Sequence, residues 1–310
     1  MEILIGCDPE VFVEKDGKLI SGYGLLPGTK HEPHAVKGGA VQVDGMALEF
    51  NIIPCKNYKE FVGRIETVMG EMHTMLGPDY KLVIDPTAMF GKEYIDAQPD
   101  EAKVLGCDPD FSAYTMAPNP RPNGDLGFRT ASGHIHIGWT KDMDPMDEGH
   151  FEACAMLTRQ LDASVAVMSK IWDNDTTRRE MYGKLGTFRP KPYGMEYRVL
   201  SNAWLRYPWL QQLVFTAASH ATKQLLKGVK WYEKVNYHSD FEDGTIIGLG
   251  KAHQYFSGRS GCHDQEIIDG MYSLLSKEKE VLKKTVQLSP SVPYSFTPAT
   301  FNFPNVVFAK

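Results

Sequence analysis

Three short segments alternate apolar and functional side chains so regularly that an extended strand is the conformation that suits them. They are GHIHIGW at 133–139, the stretch around Glu49 in VQVDGMALEFNI at 41–52, and YGMEYRVL at 193–200. Successive side chains of a strand point to opposite faces. His134 and His136 therefore share one face while Ile135 and Ile137 share the other. Glu49 shares a face with Ala47 and Asn51, and Glu196 shares one with Arg198. Strands of this kind bury an apolar side and leave imidazoles, carboxylates and guanidiniums on the opposite one.

The remaining pattern mixes further strands with helices. Residues 2–6 and 10–14 are rich in strand formers and flank a Cys-Asp-Pro turn. The stretch 21–40 is rich in Gly, Pro, His and Lys, has no helical period and is long for a connection, so it reads as a functional or disordered loop. A helical stripe from Tyr58 to Leu76 follows Asn57, a cap residue, and stops at Gly77-Pro78. Residues 81–135 read as short strands between Pro/Gly/Asn turns. Further helices are expected over 147–172, 207–227 and 263–285, with a proline-rich tail over about 287–310. No βαβ rhythm is present, so the expected class is α+β with a mostly antiparallel sheet. No low-complexity linker divides the chain, and residues 1–310 are expected to form a single domain. GCDP occurs at 6–9 and again at 106–109, and reads as two similar turns rather than a repeat.

Composition removes some function classes. A net charge of −6 gives no overall basic field for nucleic acid or anionic membrane. Five scattered cysteines, no signal peptide and no long apolar run point to the cytoplasm. P-loop, GxGxxG, HExxH and GxSxG patterns are all missing, while His31 and His34 read as loop residues and Cys262-His263 as structural.

Four groups of residues carry potential chemistry. Asp8 and Glu10 lie two apart, a spacing that suits divalent ions on one strand face; a solvated turn is the alternative. Glu49 is an acid inside an apolar strand, with Asp44 near a turn. His134 and His136 are a pair suited to metal or phosphate. The segment 178–202 gathers Arg178, Arg179, Lys184, Arg189, Lys191 and Arg198 around several glycines and ends in Glu196-Tyr197-Arg198. Guanidiniums bind phosphate with paired hydrogen bonds, and carboxylates bind the cations a polyphosphate needs.

Taken in order, GCDPE (6–10), PGTKHEP (27–33), VQVDGMALEFN (41–51), ASGHIHIG (131–138) and GKLGTFRPKPYGMEYRVLSN (183–202) resemble the phage-encoded carboxylate–amine ligases, a branch of the glutamine synthetase/glutamate–cysteine ligase superfamily. The resemblance implies a curved, mostly antiparallel sheet flanked by helices, like the glutamine synthetase catalytic domain. It implies ATP held by magnesium or manganese, and amide formation through an acyl phosphate between small-molecule or peptide carboxylate and amine partners. By the same resemblance Asp8, Glu10, Glu49, His134 and Glu196 would hold metal. His136, Arg178, Arg179 and Lys30 would meet the phosphates, with Lys30 on a lid formed by 21–40; Arg189 and Arg198 would act on the reacting groups. Asp8 stands where relatives often carry Glu, which shortens its reach. A phosphotransferase or hydrolase on the same sheet, and a non-catalytic binding protein, are the competing readings. A homo-oligomer is compatible with the sequence, and a phage origin would place the protein in the host cytoplasm.

Overall fold

In the computed structural model, which describes residues 2–103, 109–120, 126–169, 172–173 and 175–234, the chain opens with two strands separated by the Asp8-Pro9 dipeptide. The first, β1 (Leu4–Cys7), and the second, β2 (Glu10–Lys15), belong to different sheets. A tight turn with positive φ at Asp16 (52°) and Gly17 (74°) then leads into β3 (Lys18–Ile20). Two successive residues with φ above zero match the right-handed twist of a two-residue hairpin. The next strands are β4 (His34–Val36), β5 (Gly39–Asp44) and β6 (Ala47–Ile52), which pair in succession. The long connection before β5 thus carries a short edge strand within it.

Helix α1 (Tyr58–Leu76) starts where expected, with the Asn57 side chain accepting from the Glu60 N–H at 3.0 Å. Its stripe of Phe61, Ile65, Val68, Met69, Met72 and Leu76 is buried. After it come β7 (Tyr80–Val83), β8 (Thr87–Met89), two short helices α2 (Lys92–Asp96) and α3 (Asp100–Lys103), β9 (Phe111–Ser112), β10 (Phe128–Thr130) and β11 (Ile135–Gly138). The sequence pattern over 81–135 predicts strands alone. Four or five residues are too few for a helical period to register, which is why α2 and α3 escape it.

The helix expected over 147–172 is α4 (Glu148–Leu161), followed by a π-helical turn (Asp162–Ala166) and a last turn α5 (Val167–Ser169). Then follow α6 (Thr176–Met181), β12 (Thr187–Lys191), β13 (Gly194–Tyr197), a 3-10 turn (Asn202–Arg206), α7 (Pro208–Leu226) and a final 3-10 turn (Trp231–Lys234). The helix expected over 263–285, the proline-rich tail, Cys262-His263 and residues 106–108 of the second GCDP lie outside the described residues.

Every strand pairing among the described residues is antiparallel. One sheet has the order β1-β11-β13-β12-β9; the second runs β3-β2-β6-β5-β4, with β7 also on β2; β8 and β10 form a small third pair. At Asp8-Pro9 the first run of chain crosses between the two large sheets. The Asp8 and Glu10 N–H groups donate to the His134 and Ser132 carbonyls (3.4 and 2.9 Å), while the Pro9 carbonyl accepts from the Phe50 N–H at 3.2 Å. Apolar faces meet in a common core. Ile5, Ile135, Ile137, Met195 and Tyr197 from one sheet join Val41, Leu48 and Phe50 from the other, together with the buried stripes of α1, α4 and α7. Phe61 of α1 stacks on Trp204 at 5.9 Å, tying the two halves of that core together. The described residues therefore form a mixed structure of antiparallel sheets covered by helices, in keeping with the α+β expectation.

Candidate active site

The register of the first sheet decides which polar side chains meet. Gly6 of β1 pairs with His136 of β11, His136 with Glu196 of β13, and Glu196 with Arg189 of β12. These four form one row across the sheet, on the face away from Ile137 and Met195. One row along on the same face stand Asp8, His134 and Arg198, since the Asp8 N–H donates to the His134 carbonyl and the Arg198 N–H to the Thr187 carbonyl. In the other direction the row ends in Gly138, Gly194 and Lys191. Gly6 and Gly138, which carry no side chain, line the space above the row.

The second sheet adds its own row. Glu10 of β2 pairs with Glu49 of β6, which pairs with Gln42 of β5. Asp44, two residues beyond Gln42, projects from the same face. Both rows open into a single cavity of about 840 Å³ lined by Asp8, Glu10, Asp44, Glu49, His136 and Glu196 among others.

Two groups within this cavity could each hold a cation. Ligand atoms of Asp8, His136 and Glu196 lie within 4.8 Å of one another, and so do those of Glu10, Asp44 and Glu49. In the first group the Asp8 Oδ1 and His136 Nε2 are 2.9 Å apart. Both atoms are nevertheless buried without a hydrogen-bond partner. Buried polar atoms are nearly always satisfied, so two such ligand atoms side by side fit a cation. The Nδ1 atom of His136 meets the Tyr193 hydroxyl, a second contact that fixes the ring. The second group, all carboxylate oxygen, suits a hard divalent ion.

Electrostatics differ between the two groups. Burial opposes ionisation of Glu196, but Arg198, His134, Lys191 and Arg189 outweigh it and hold the carboxyl well below its usual range. Its oxygens meet Lys191 Nζ at 2.9 Å and Arg189 Nη1 at 3.2 Å, and Arg198 pairs with it as well. Burial also opposes ionisation of Asp8, yet the His136 imidazole lowers it. In the second group nothing reverses burial. Desolvation and the nearby Asp44 push Glu10 up to about 7, although its Oε2 accepts from the Ser132 N–H at 2.8 Å. Desolvation, Asp8, Asp44 and Glu10 together raise Glu49 well above a normal carboxyl, against a 2.7 Å bond donated by the Gln42 amide. Crowded acids that hold protons give them up when a cation arrives.

The other residues singled out from the sequence fall in different places. His134 lies beside the first group, with Nδ1 at 3.5 Å from Asp8, 3.3 Å from Glu196 and 3.4 Å from Arg198 Nη1. Burial and the Arg198 charge depress it to about 3, so it stays neutral. His136, expected at the phosphates, lies in the candidate cation group with Asp8 and Glu196. Arg198 is further held by Asp110 at 3.1 Å. Arg178 and Lys30 line the cavity. Arg179 turns away: its guanidinium meets Asp173 at 3.5 Å, outside the cavity lining.

Lining residues to which the sequence reading gave no site role include Asp44 as a full member of a group, Gln42, Tyr193 and Arg129. The Asp44-Gly45 dipeptide, with Gly45 at φ 58°, is a hairpin signal that divides 41–52 into β5 and β6. Reading it that way brings Asp44 and Gln42 onto the Glu49 face. Arg129 and Tyr193 offered no such signal, because their positions depend on how distant segments pack.

Residues 127–238 match the family model described as phage phiEco32-like COOH.NH2 ligase-type 2. Over that segment the chain is similar to this family, in line with the resemblance read from the sequence. The match holds β11, β12 and β13, and with them His134, His136, Arg189, Glu196 and Arg198. Asp8, Glu10, Asp44 and Glu49 come from outside the matched segment, the last three from the second sheet, and line the same cavity. The family's name describes enzymes that join a carboxylate to an amine. No curated protein matches the chain. No helix among the described residues is long and apolar enough to cross a membrane.

Proposed function

We propose that the protein is an ATP-dependent carboxylate–amine ligase that works with magnesium or manganese. The observation that carries this reading is the pair of cation-ready groups, Asp8–His136–Glu196 and Glu10–Asp44–Glu49, side by side in one cavity. Arg189, Lys191 and Arg198 stand at its edge around Glu196. Two adjacent groups of this kind, flanked by guanidiniums, suit a metal-bound polyphosphate. The reading extends to a glutamine synthetase-like catalytic domain over 1–310 and to a cytoplasmic protein, in keeping with its buried free thiols Cys7, Cys55 and Cys154.

Asp8, His136 and Glu196 would hold one ion and Glu10, Asp44 and Glu49 another, with His134 beside the first. When bound, such ions neutralise the β- and γ-phosphates of ATP and polarise the phosphoryl group that is transferred. The chain's own part is positioning. Arg189, Lys191 and Arg198 share the charge of Glu196, and an incoming polyphosphate competes for them, so they swap a carboxylate for phosphate oxygens. The substrate carboxylate takes the γ-phosphoryl group to give an acyl phosphate and ADP; the amine then attacks the acyl carbon and inorganic phosphate leaves. Water must be kept out during the life of that intermediate. Lys30, on the loop before β5, lies where closure over the cavity would do this.

The test screens carboxylate and amine pairs for ADP release with magnesium, and identifies products by mass spectrometry. ADP, phosphate and an amide in equal amounts support ligation. A stable phosphorylated product, or ADP release that ignores the amine, would sink it. Glu49→Gln and Glu196→Gln are expected to remove metal-dependent ATP binding; retention of binding in both would argue against the metal assignment.

A further inference from the structure

Two guanidiniums in the cavity are buried with no carboxylate in ion-pair contact among the described residues. Arg129 and Arg178 are 7% and 2% exposed, and both line the cavity. Arg129 Nη1 donates to the Leu126 and Phe128 carbonyls at 3.1 and 2.9 Å. Arg178 Nη1 and Nη2 donate to the Val199 and Arg198 carbonyls at 3.0 and 3.4 Å. Among the described residues no acid lies within ion-pair distance of either. The Nε atoms of both are buried without a hydrogen-bond partner, and so is the Ser132 hydroxyl, which lines the same cavity. Carbonyl contacts orient a guanidinium but do not cancel its charge; Glu10 and Asp173 offset part of the Arg178 charge from beyond ion-pair distance, yet burial still lowers its pKa to about 10. Tyr182 lies one turn after Arg178, at the end of α6, and it too lines the cavity.

This cluster is separate from the cations around Glu196. Ser132 precedes His136 by four residues on the same run, which is roughly 13 Å at the rise of an extended chain. The row of His136 and Glu196, which Arg189 and Lys191 serve, lies toward one end, and Ser132, Arg129 and Arg178 lie toward the other, with Glu10 between. Two guanidiniums and a hydroxyl match a singly charged planar anion, which a guanidinium fork meets with paired bonds. They are too few for a polyphosphate.

We propose that Arg129, Arg178 and Ser132 form the seat of a carboxylate group of the acid substrate, apart from the nucleotide's phosphates. The proposal rests on the ligase reading for its substrate but not for its geometry. It gives Arg178 a role at the acid rather than at ATP, and adds Arg129 as a specificity-determining residue.

Calorimetric titration of the full chain tests it, with succinate and inorganic phosphate as probes, without and with a saturating non-hydrolysable ATP analogue and magnesium. Succinate is expected to bind in both conditions. Arg129→Gln is expected to weaken succinate by at least about tenfold, while its affinity for the analogue stays near that of the parent. Arg129→Lys keeps the charge but not the fork, and is expected to fall between them; thermal melts of both variants separate lost binding from lost folding. Failure of succinate to bind, its displacement by the analogue, or undiminished binding in Arg129→Gln would each overturn the proposal. Succinate binding in a protein that ignores the analogue would leave this seat standing and remove the ATP reading instead.

Discussion

Tyr193 stands between β12 and β13, with its hydroxyl against His136 Nδ1. Burial, Glu196 and Asp8 all raise its pKa, so it remains a phenol at any working pH. When His136 offers the Nε2 lone pair to a cation, Nδ1 carries the proton and donates it to the Tyr193 oxygen. Tyr193→Phe is therefore expected to weaken manganese binding by about tenfold or more, with little change in stability. Manganese titration beside a urea melt checks it, and unchanged affinity would remove Tyr193 from the site. Asp162 is a second residue with a defined task. It is fully buried in the π turn and accepts from the Tyr197 hydroxyl (2.6 Å), the Tyr114 hydroxyl (2.9 Å) and the Gly186 N–H (2.7 Å). Burial outweighs those bonds and raises its carboxyl to about 7. Between roughly pH 4 and pH 7 the native state keeps a proton that the unfolded chain has lost, so this group's contribution to stability falls as pH rises through that window and is level above it. Asp162→Asn is expected to cost about 2 kcal/mol at pH 5 and less at pH 8. Denaturant melts at the two pH values measure the difference, and a cost that grows with pH would contradict this.

At the level of elements, the β11–β13 pair sets the site, and Gly194 permits it. Its φ is 150°, and an added Cβ would lie 2.1 Å from the Ile137 carbonyl and against the Trp139 ring. Gly194→Ala must push β13 off β11 or distort the turn before it. The expected loss is about 2 kcal/mol or more, together with weaker metal binding, because Glu196 is two residues away on the displaced strand. A variant as stable as the parent, by urea titration, would show that the hairpin absorbs the change. Helix ends matter less. The Asn57 cap of α1 is worth about 1 kcal/mol and lies far from the chemistry.

On the scale of the molecule, the cavity is built where two sheets share one run of chain. Asp8 and Glu10 belong to different groups because Pro9 separates them and the chain changes sheets there. The loop before β5 lies along the open side, and Lys30 and Pro33 contribute to the cavity lining. Shortening residues 22–33 is expected to raise ATP hydrolysis relative to ligation severalfold, since the acyl phosphate would meet water. Equal ratios in the shortened and parent proteins would count against closure by this loop.

Alternation by itself determined that 133–139 and 193–200 hold strands, observed as β11 and β13 in their middles, and which side chains share a face, because side-chain direction along a strand is a local property. It therefore brought His134 with His136, and Glu196 with Arg198, onto common faces. The Asn57 cap and the stripe to Leu76 determined α1 in the same way. Register was decided only by the tertiary structure. Pairing Gly6, His136, Glu196 and Arg189 in one row set His136 as well as His134 beside Asp8, and put His136 in a candidate cation group with Asp8 and Glu196. Three-dimensional packing also turned Arg179 toward Asp173, carried Arg129 into the cavity, and set Asp44 beside Glu10. Such neighbours are far apart along the chain, and the energy that brings them together comes from burying the apolar faces behind them, not from the polar residues themselves.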